Sequence, residues 1–317
     1  MDGLLYLVAR ALVIVLQALP LRAVARLGRA GGALAYCLDA RHRRVALKNL
    51  TMCFGQEKPA AELGALAKEN FRRLGENYLS AIKTAAMSAE QLLPHFEFVG
   101  AEKVLPHATR RGSSSRVVAI GHFGNFELYA RFGQYVPGFQ CATTYRALPQ
   151  PSLSRLVQTV RERSGCRFFE RRTEAAALKA AMNEGGIMLG LLSDQRAPRG
   201  GLRLPFLGHE CLTSAAPAVF ALRYHCPLYT AICYRVGLAR WRIEAGEEIT
   251  TRENGQPRST RKIMGDVNHA FEVAVRRDPA NWFWVHDRWK LPKPAVHGPE
   301  SGIQSQESRV QQSQTAT

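Results

Sequence analysis

The 317-residue chain predicts an α/β fold with a mainly parallel central sheet flanked by helices, preceded by an N-terminal membrane-associated helix. Three observations carry this. From residue 117 onward, short apolar runs alternate with helix-length amphipathic stretches, the pattern of strand–helix–strand units. Ahead of them lies a long segment of helical period, and ahead of that an almost continuous apolar run. The organisation expected is a helix over residues 1–30, one α/β domain over 31–297, and a disordered polar tail over 298–317.

Residues 4–21 are nearly all apolar, and 18 residues at the helical rise cover roughly 27 Å, slightly short of a ~30 Å hydrocarbon core. Arg10 and Gln17 interrupt the run seven residues apart, hence on one helical face. A narrow polar stripe suits a helix sunk in one leaflet. Arg22, Arg26, Arg29, Arg41, Arg43, Arg44 and Lys48 follow, as in a cytoplasmic juxtamembrane segment meeting anionic headgroups. No small-residue cleavage site clearly follows, so the segment is expected to be retained. The competing reading is an ordinary buried core helix.

Between residues 59 and 83, Leu63, Leu66, Ala67, Phe71, Leu74, Tyr78 and Ile82 recur every three or four positions, which predicts an amphipathic helix. Strands are then expected at 117–120, 140–145, 166–169 and 187–192, with helices after them ending near 135 and over 152–164, 173–184 and, beyond a loop, 214–224. Two further strands at 228–234 and 240–245 are joined by a turn at Gly237, and a last helix spans 260–276.

The net charge of +17 and 46% hydrophobic content exclude wholesale disorder and give a surface that seeks anions. Seven scattered cysteines without a C-x-x-C pair argue against a disulfide framework or zinc site and for a reducing compartment. No helix-turn-helix, RRM or zinc-finger signature accompanies the charge, so nucleic acid is not an expected partner.

The informative segment is Gly121-His122-Phe123-Gly124-Asn125-Phe126-Glu127, directly after an expected strand and opening a helix. On a regular helix His122 and Glu127 would point about 140° apart. If His122 sits at the turn and Glu127 in the first helical turns, the carboxylate reaches back to one imidazole nitrogen and orients a general base. Amides at the helix start, near Gly124 and Asn125, would hold an oxyanion or phosphate. There is no G-x-S-x-G elbow, so no acyl-enzyme is required, and no H-E-x-x-H, P-loop or G-x-G-x-x-G pattern, so neither metal nor nucleotide cofactor is implied.

The segment resembles the H-x-x-x-x-D/E motif of membrane acyltransferases, particularly the bacterial lipid A biosynthesis lauroyl/myristoyl acyltransferase family. The resemblance runs from the N-terminal helix to about Lys290. It includes Arg43-Arg44-Val45-Ala46-Leu47-Lys48-Asn49-Leu50, Thr144-Tyr145-Arg146, Ser193-Asp194-Gln195 followed by Pro205-Phe206, Trp282-Phe283-Trp284-Val285-His286 and Arg288-Trp289-Lys290. It implies a glycerolipid-acyltransferase-like fold at the cytoplasmic face of the inner membrane. His122 would be general base and Glu127 its acidic partner, with an acyl carrier protein or acyl-CoA as thioester donor and a glycolipid hydroxyl as acceptor. The acyl chain would need an apolar groove lined by helices near the motif.

By the same resemblance Arg146 belongs to the active-site region, to bind phosphate or polarise the thioester carbonyl; a surface ion pair is its other reading. Asp194 and Gln195, after an apolar run, fall at the carboxyl edge of a sheet, where α/β ligand sites lie; Asp194 either positions the substrate or the motif, or caps a loop. Arg196, Arg199 and Arg203 interleave with Pro198, Gly200 and Gly201, a basic loop suited to sugar phosphates or phosphopantetheine, or merely solvated. His286, flanked by Trp282, Trp284 and Trp289, admits a catalytic reading, but interfacial tryptophans or a packed histidine explain it more simply. Around Asp194 the chain departs from the proteobacterial lipid A enzymes, carrying Arg196-Ala197-Pro198-Arg199. This leaves open another lipid acceptor, such as a phosphoinositide mannoside, lysophospholipid or aminolipid. A non-catalytic basic membrane- or nucleic-acid-binding protein is the reading from a different class.

Overall fold

Four helices precede the first strand in the computed structural model, which describes residues 2–105, 115–135, 138–197 and 200–291. They are α1 (Asp2–Ala18), α2 (Leu21–Leu38), α3 (Ala40–Phe54) and α4 (Ala60–Ala86). Pro20 separates the first two, because proline holds the residue before it out of the helical region. Asp39 separates the next two: its side chain accepts the His42 amide at the start of α3, while Arg43 donates to the last carbonyls of α2 at Tyr36 and Cys37. The basic stretch expected as a juxtamembrane segment is thus two packed helices, with Arg29 and Arg43 bonded internally and Arg22, Arg26 and Arg41 exposed.

Helices α2 and α4 touch backbone to backbone. A Cβ on Gly28 would lie 2.4 Å from the carbonyl oxygen of Gly75, and one on Gly32 2.1 Å from that of Phe71. Buried Glu76 of α4 accepts from Arg29 of α2, from Arg235 and from the Ala239 amide, tying the helical layer to the sheet. Helix α1 docks on α4 through Gln17, whose amide donates to the Ile82 carbonyl and whose carbonyl accepts from Lys83.

The strands are β1 (Phe96–Val99), β2 (Arg116–Ile120), β3 (Gln140–Tyr145), β4 (Arg167–Glu170), β5 (Ile187–Leu192), β6 (Leu202–Phe206), β7 (His209–Thr213), β8 (Leu228–Gly237), β9 (Arg240–Ala245), β10 (Arg252–Glu253) and β11 (Gln256–Pro257). Between them run the short α5 (Ala89–Leu92) and α6 (Ala101–Val104), then α7 (Pro151–Glu162), α8 (Ala175–Glu184), α9 (Ala216–Arg223) and α10 (Thr260–Arg277). The main sheet has seven strands in the order β1-β9-β8-β2-β5-β3-β4. Strands β8 through β4 are parallel; β9 runs back along β8 as a hairpin, with β1 parallel to β9. The mainly parallel α/β sheet is therefore as the sequence predicts. Its alternating positions divide two cores: Val117, Ala119, Leu189 and Leu191 face one, Val118, Ile120 and Met188 the other.

The helix expected over 1–30 is broken at Pro20, with α2 running on to Leu38, and two later stretches also differ from expectation. Residues 126–134 form a 3₁₀ helix (Phe126–Gln134), whose three-residue turn stacks Phe126, Tyr129 and Phe132 along one side. The stretch expected as loop after β5 contains the antiparallel β6/β7 hairpin, with Asn268 of α10 donating to the Pro205 carbonyl and Trp289 to that of Phe206.

Candidate active site

Strands β2 and β5 are neighbours, and Ile120 pairs with Leu192. Two residues beyond each partner the chain leaves the sheet, so His122 and Asp194 emerge side by side at its carboxyl edge. The His122 Nδ1 lies 2.8 Å from Asp194 Oδ1, and the His122 amide donates to Oδ2 at 2.8 Å. The indole of Trp282 donates to the same Oδ2 at 2.9 Å. Asp194 is fully buried. Burial opposes its ionisation, but the His122 charge and hydrogen bonds, with buried Arg288, outweigh that and hold the carboxyl down at about 2.

An ionised carboxylate only accepts, so the neutral ring carries its proton on Nδ1 and leaves Nε2 as the basic nitrogen. The ring packs against Phe126 and Phe283, with centroids 4.8 and 5.6 Å away, and remains 15% exposed. It lines a cleft of about 1540 Å³, larger than the ~300–1,000 Å³ of most small-molecule sites.

The carboxylate expected to orient His122 was Glu127; the structure gives that contact to Asp194. Glu127 sits one position into the 3₁₀ helix and forms a bidentate pair with Arg161 of α7, at 3.0 and 2.5 Å, at the edge of the same cleft. The tight 3₁₀ turn carries it to α7. The amide expected from Gly124 is also spent: it donates to the Asn281 carbonyl at 3.1 Å, and a Cβ there would meet the Cys233 carbonyl at 2.5 Å. Gly124, at φ +51°, is a packing requirement. Asn125 is buried, with both side-chain polar atoms unpartnered among the described residues.

The cleft collects most of the other candidates. Arg146 follows β3 at the rim, exposed, beside Arg171 and Arg172 after β4. Gln195 and Arg196 line the cleft as well. Arg199 and Pro198 lie outside the described residues. Arg203 is on β6, paired with Glu210 in solvent, away from the cleft. The apolar part is walled by Ile120, Phe132, Met188 and Leu192 from the sheet side, Leu153 and Val157 of α7, and Ala9, Leu12 and Val13 of α1. This supplies the groove the sequence reading asked for, with α1 as one of its walls.

The profile of the family described as bacterial lipid A biosynthesis acyltransferase matches residues 2–291. The chain belongs to that family. As a lipid A biosynthesis acyltransferase it is similar to a lipid A biosynthesis palmitoleoyltransferase of Escherichia coli (strain K12) and to a lipid A biosynthesis acyltransferase of Shigella flexneri. Each is 24% identical over 278 residues, 86% of both chains. At the family level this acyltransferase acts in acyl transfer to lipid A.

Two contributors were missed or undervalued in sequence. Trp282, for which the sequence offers an interfacial role, is buried and bonded to Asp194; Trp284 and Trp289 are buried around it. His286 opens on the cleft and accepts the Arg196 amide. The signal available was position: both lie in the same short block, 282–290, whose apolar density hid its role in holding the Asp194 loop.

Proposed function

We propose that this protein moves a fatty acyl chain from an acyl thioester, an acyl carrier protein being the best-suited donor, to a hydroxyl of a lipid A precursor or related glycolipid. The single observation behind this is the His122–Asp194 pair at the mouth of a large apolar cleft. His122 Nε2 takes the proton as the acceptor oxygen attacks the thioester carbon; the new C–O bond forms and the carbonyl π pair moves onto oxygen. When that pair returns, the C–S bond breaks and the leaving thiolate takes the proton from His122. Asp194 stays ionised throughout and supports the imidazolium.

Arg146, Arg171 and Arg172 offer the rim a positive charge suited to a phosphorylated acceptor or an acidic carrier. On this reading α1 lies in one leaflet. Leu4, Leu7, Val8 and Val15 are exposed on it at helical spacing, while Ala9 and Val13 wall the cleft, so lipid reaches the site from the bilayer. Among the described residues no helix is long and apolar enough to cross a membrane.

The test is acyl transfer by purified protein from labelled acyl carrier protein to a lipid extract. His122→Ala is expected to lower turnover by at least ~10²-fold while remaining folded, and near-normal transfer by that variant would remove His122 from the mechanism. Lipid mass spectrometry of a deletion strain names the chain and the acceptor.

A further inference from the structure

His286 sits in the cleft beside the paired residues, yet has no role in the scheme above. Its Nε2 accepts the Arg196 amide at 3.1 Å, and an imidazole nitrogen that accepts from an amide carries no proton. The neutral ring therefore holds its proton on Nδ1. None of the described residues bonds that Nδ1, and it is not among the sealed, unpartnered polar atoms; the residue is half-buried and lines the cleft.

Burial keeps the imidazole below its ordinary range, and the His122 ring and Arg288 push the same way, against the pull of Asp194. The ring thus stays a neutral donor. Placement is equally specific: Arg196 is two residues past Asp194, and Phe283, three before His286, packs on the His122 ring. Meanwhile the Gly124 amide, the donor the sequence suggested for an oxyanion, is already bonded to Asn281.

We propose that His286 is a second catalytic histidine, donating its Nδ1–H to the thioester carbonyl oxygen and to the oxyanion formed there. The inference rests on the acyl-transfer reading. No proton leaves His286: as the acceptor oxygen bonds to carbon and the π pair moves to the carbonyl oxygen, the hydrogen bond tightens, and it relaxes when the C–S bond breaks and the thiolate takes its proton from His122. Loss of one such donor typically costs ~10²–10³-fold in turnover.

Two substitutions separate this from a purely structural hold on the Arg196 loop. In His286→Gln the side-chain oxygen reaches the Nε2 position and accepts the Arg196 amide, but nothing donates from the Nδ1 position. In His286→Asn the side-chain nitrogen occupies the Nδ1 position and donates, while the Arg196 contact is lost. His286→Gln is expected to lose at least ~10²-fold in kcat, at unchanged KM for lipid, and to lose slow thioester hydrolysis by water in proportion. His286→Asn is expected to retain activity within about tenfold of wild type, since one neutral donor replaces another. Any result in which the glutamine variant equals or exceeds the asparagine variant overturns the proposal. Wild-type protein that transfers no acyl chain overturns the underlying reading instead, so the two failures are told apart by the wild-type control.

Discussion

His122 and Asp194, 72 residues apart in the chain, face each other because Ile120 and Leu192 are paired across adjacent parallel strands. The carboxylate makes three hydrogen bonds, to the ring, to the His122 amide and to Trp282. Asp194→Asn keeps the volume but places an amide against Nδ1, favouring the wrong tautomer. Turnover is expected to fall by at least ~10²-fold, read in the transfer assay. Because the folded carboxyl is held near 2, below its 3.8 reference, its stabilising contribution is complete above about pH 4 and disappears as pH falls through 2. That difference corresponds to about 2 kcal/mol. Melting curves between pH 5 and 2 are expected to show wild type losing more stability than Asp194→Asn.

Glu127 and Arg161 form a closed pair at the rim. Removing one leaves the other unpaired in a partly enclosed site, so Glu127→Gln and Arg161→Gln are expected each to reduce kcat/KM by roughly 10-fold or more. The double variant is expected to fall little further, a coupling of about 1 kcal/mol. Additive losses in the cycle would mean that Glu127 acts independently of Arg161.

Gly190 lies in the middle of β5 and lines the cleft between Met188 and Leu192. A Cβ there meets only the Ile120 methyl tip at 3.3 Å and the Ala142 carbonyl at 3.8 Å. Gly190→Leu would therefore fill the apolar end. Each methylene of mismatch costs ~1–3 kcal/mol, so the preferred acyl chain is expected to shorten by two or more carbons in competition assays with mixed thioesters. An unchanged profile would place the chain elsewhere.

The exposed apolar face of α1 is expected to carry membrane attachment. Leu7→Glu combined with Val15→Glu removes two exposed apolar side chains, each worth ~1.5–3 kcal/mol when buried. Vesicle co-sedimentation is expected to fall more than tenfold, with the melting temperature unchanged because neither side chain is in the core. Undiminished sedimentation would assign attachment to the basic surface instead.

Much of the layout was legible. Strand–helix alternation after residue 117 marked β2 to β5, the β8/β9 hairpin was marked by Gly237, and α10 by its period. The helices α2 and α3 were not, because three glycines lower the helix propensity of α2 and the arginines of both suggested a basic segment at a membrane surface. The stability of α2 comes from the Gly28–Gly75 backbone contact and the Glu76 ion cluster, and that of α3 from Ala46, Leu50 and Phe54 in the core and from Asn49, which donates to the Trp284 and His286 carbonyls, all long-range. The β6/β7 hairpin was likewise silent, since short strands containing Pro205 acquire their order from α10 and Trp289.

Sequence alone put His122 at the end of a strand, supplied an apolar helix and a basic surface, and assembled the blocks that mark the family. It did not choose the carboxylate. Glu127 was near in the chain and Asp194 distant, but a crossover connection sets β5 beside β2, and hydrogen-bonding distance between strands, not separation along the backbone, decides which charge an imidazole feels.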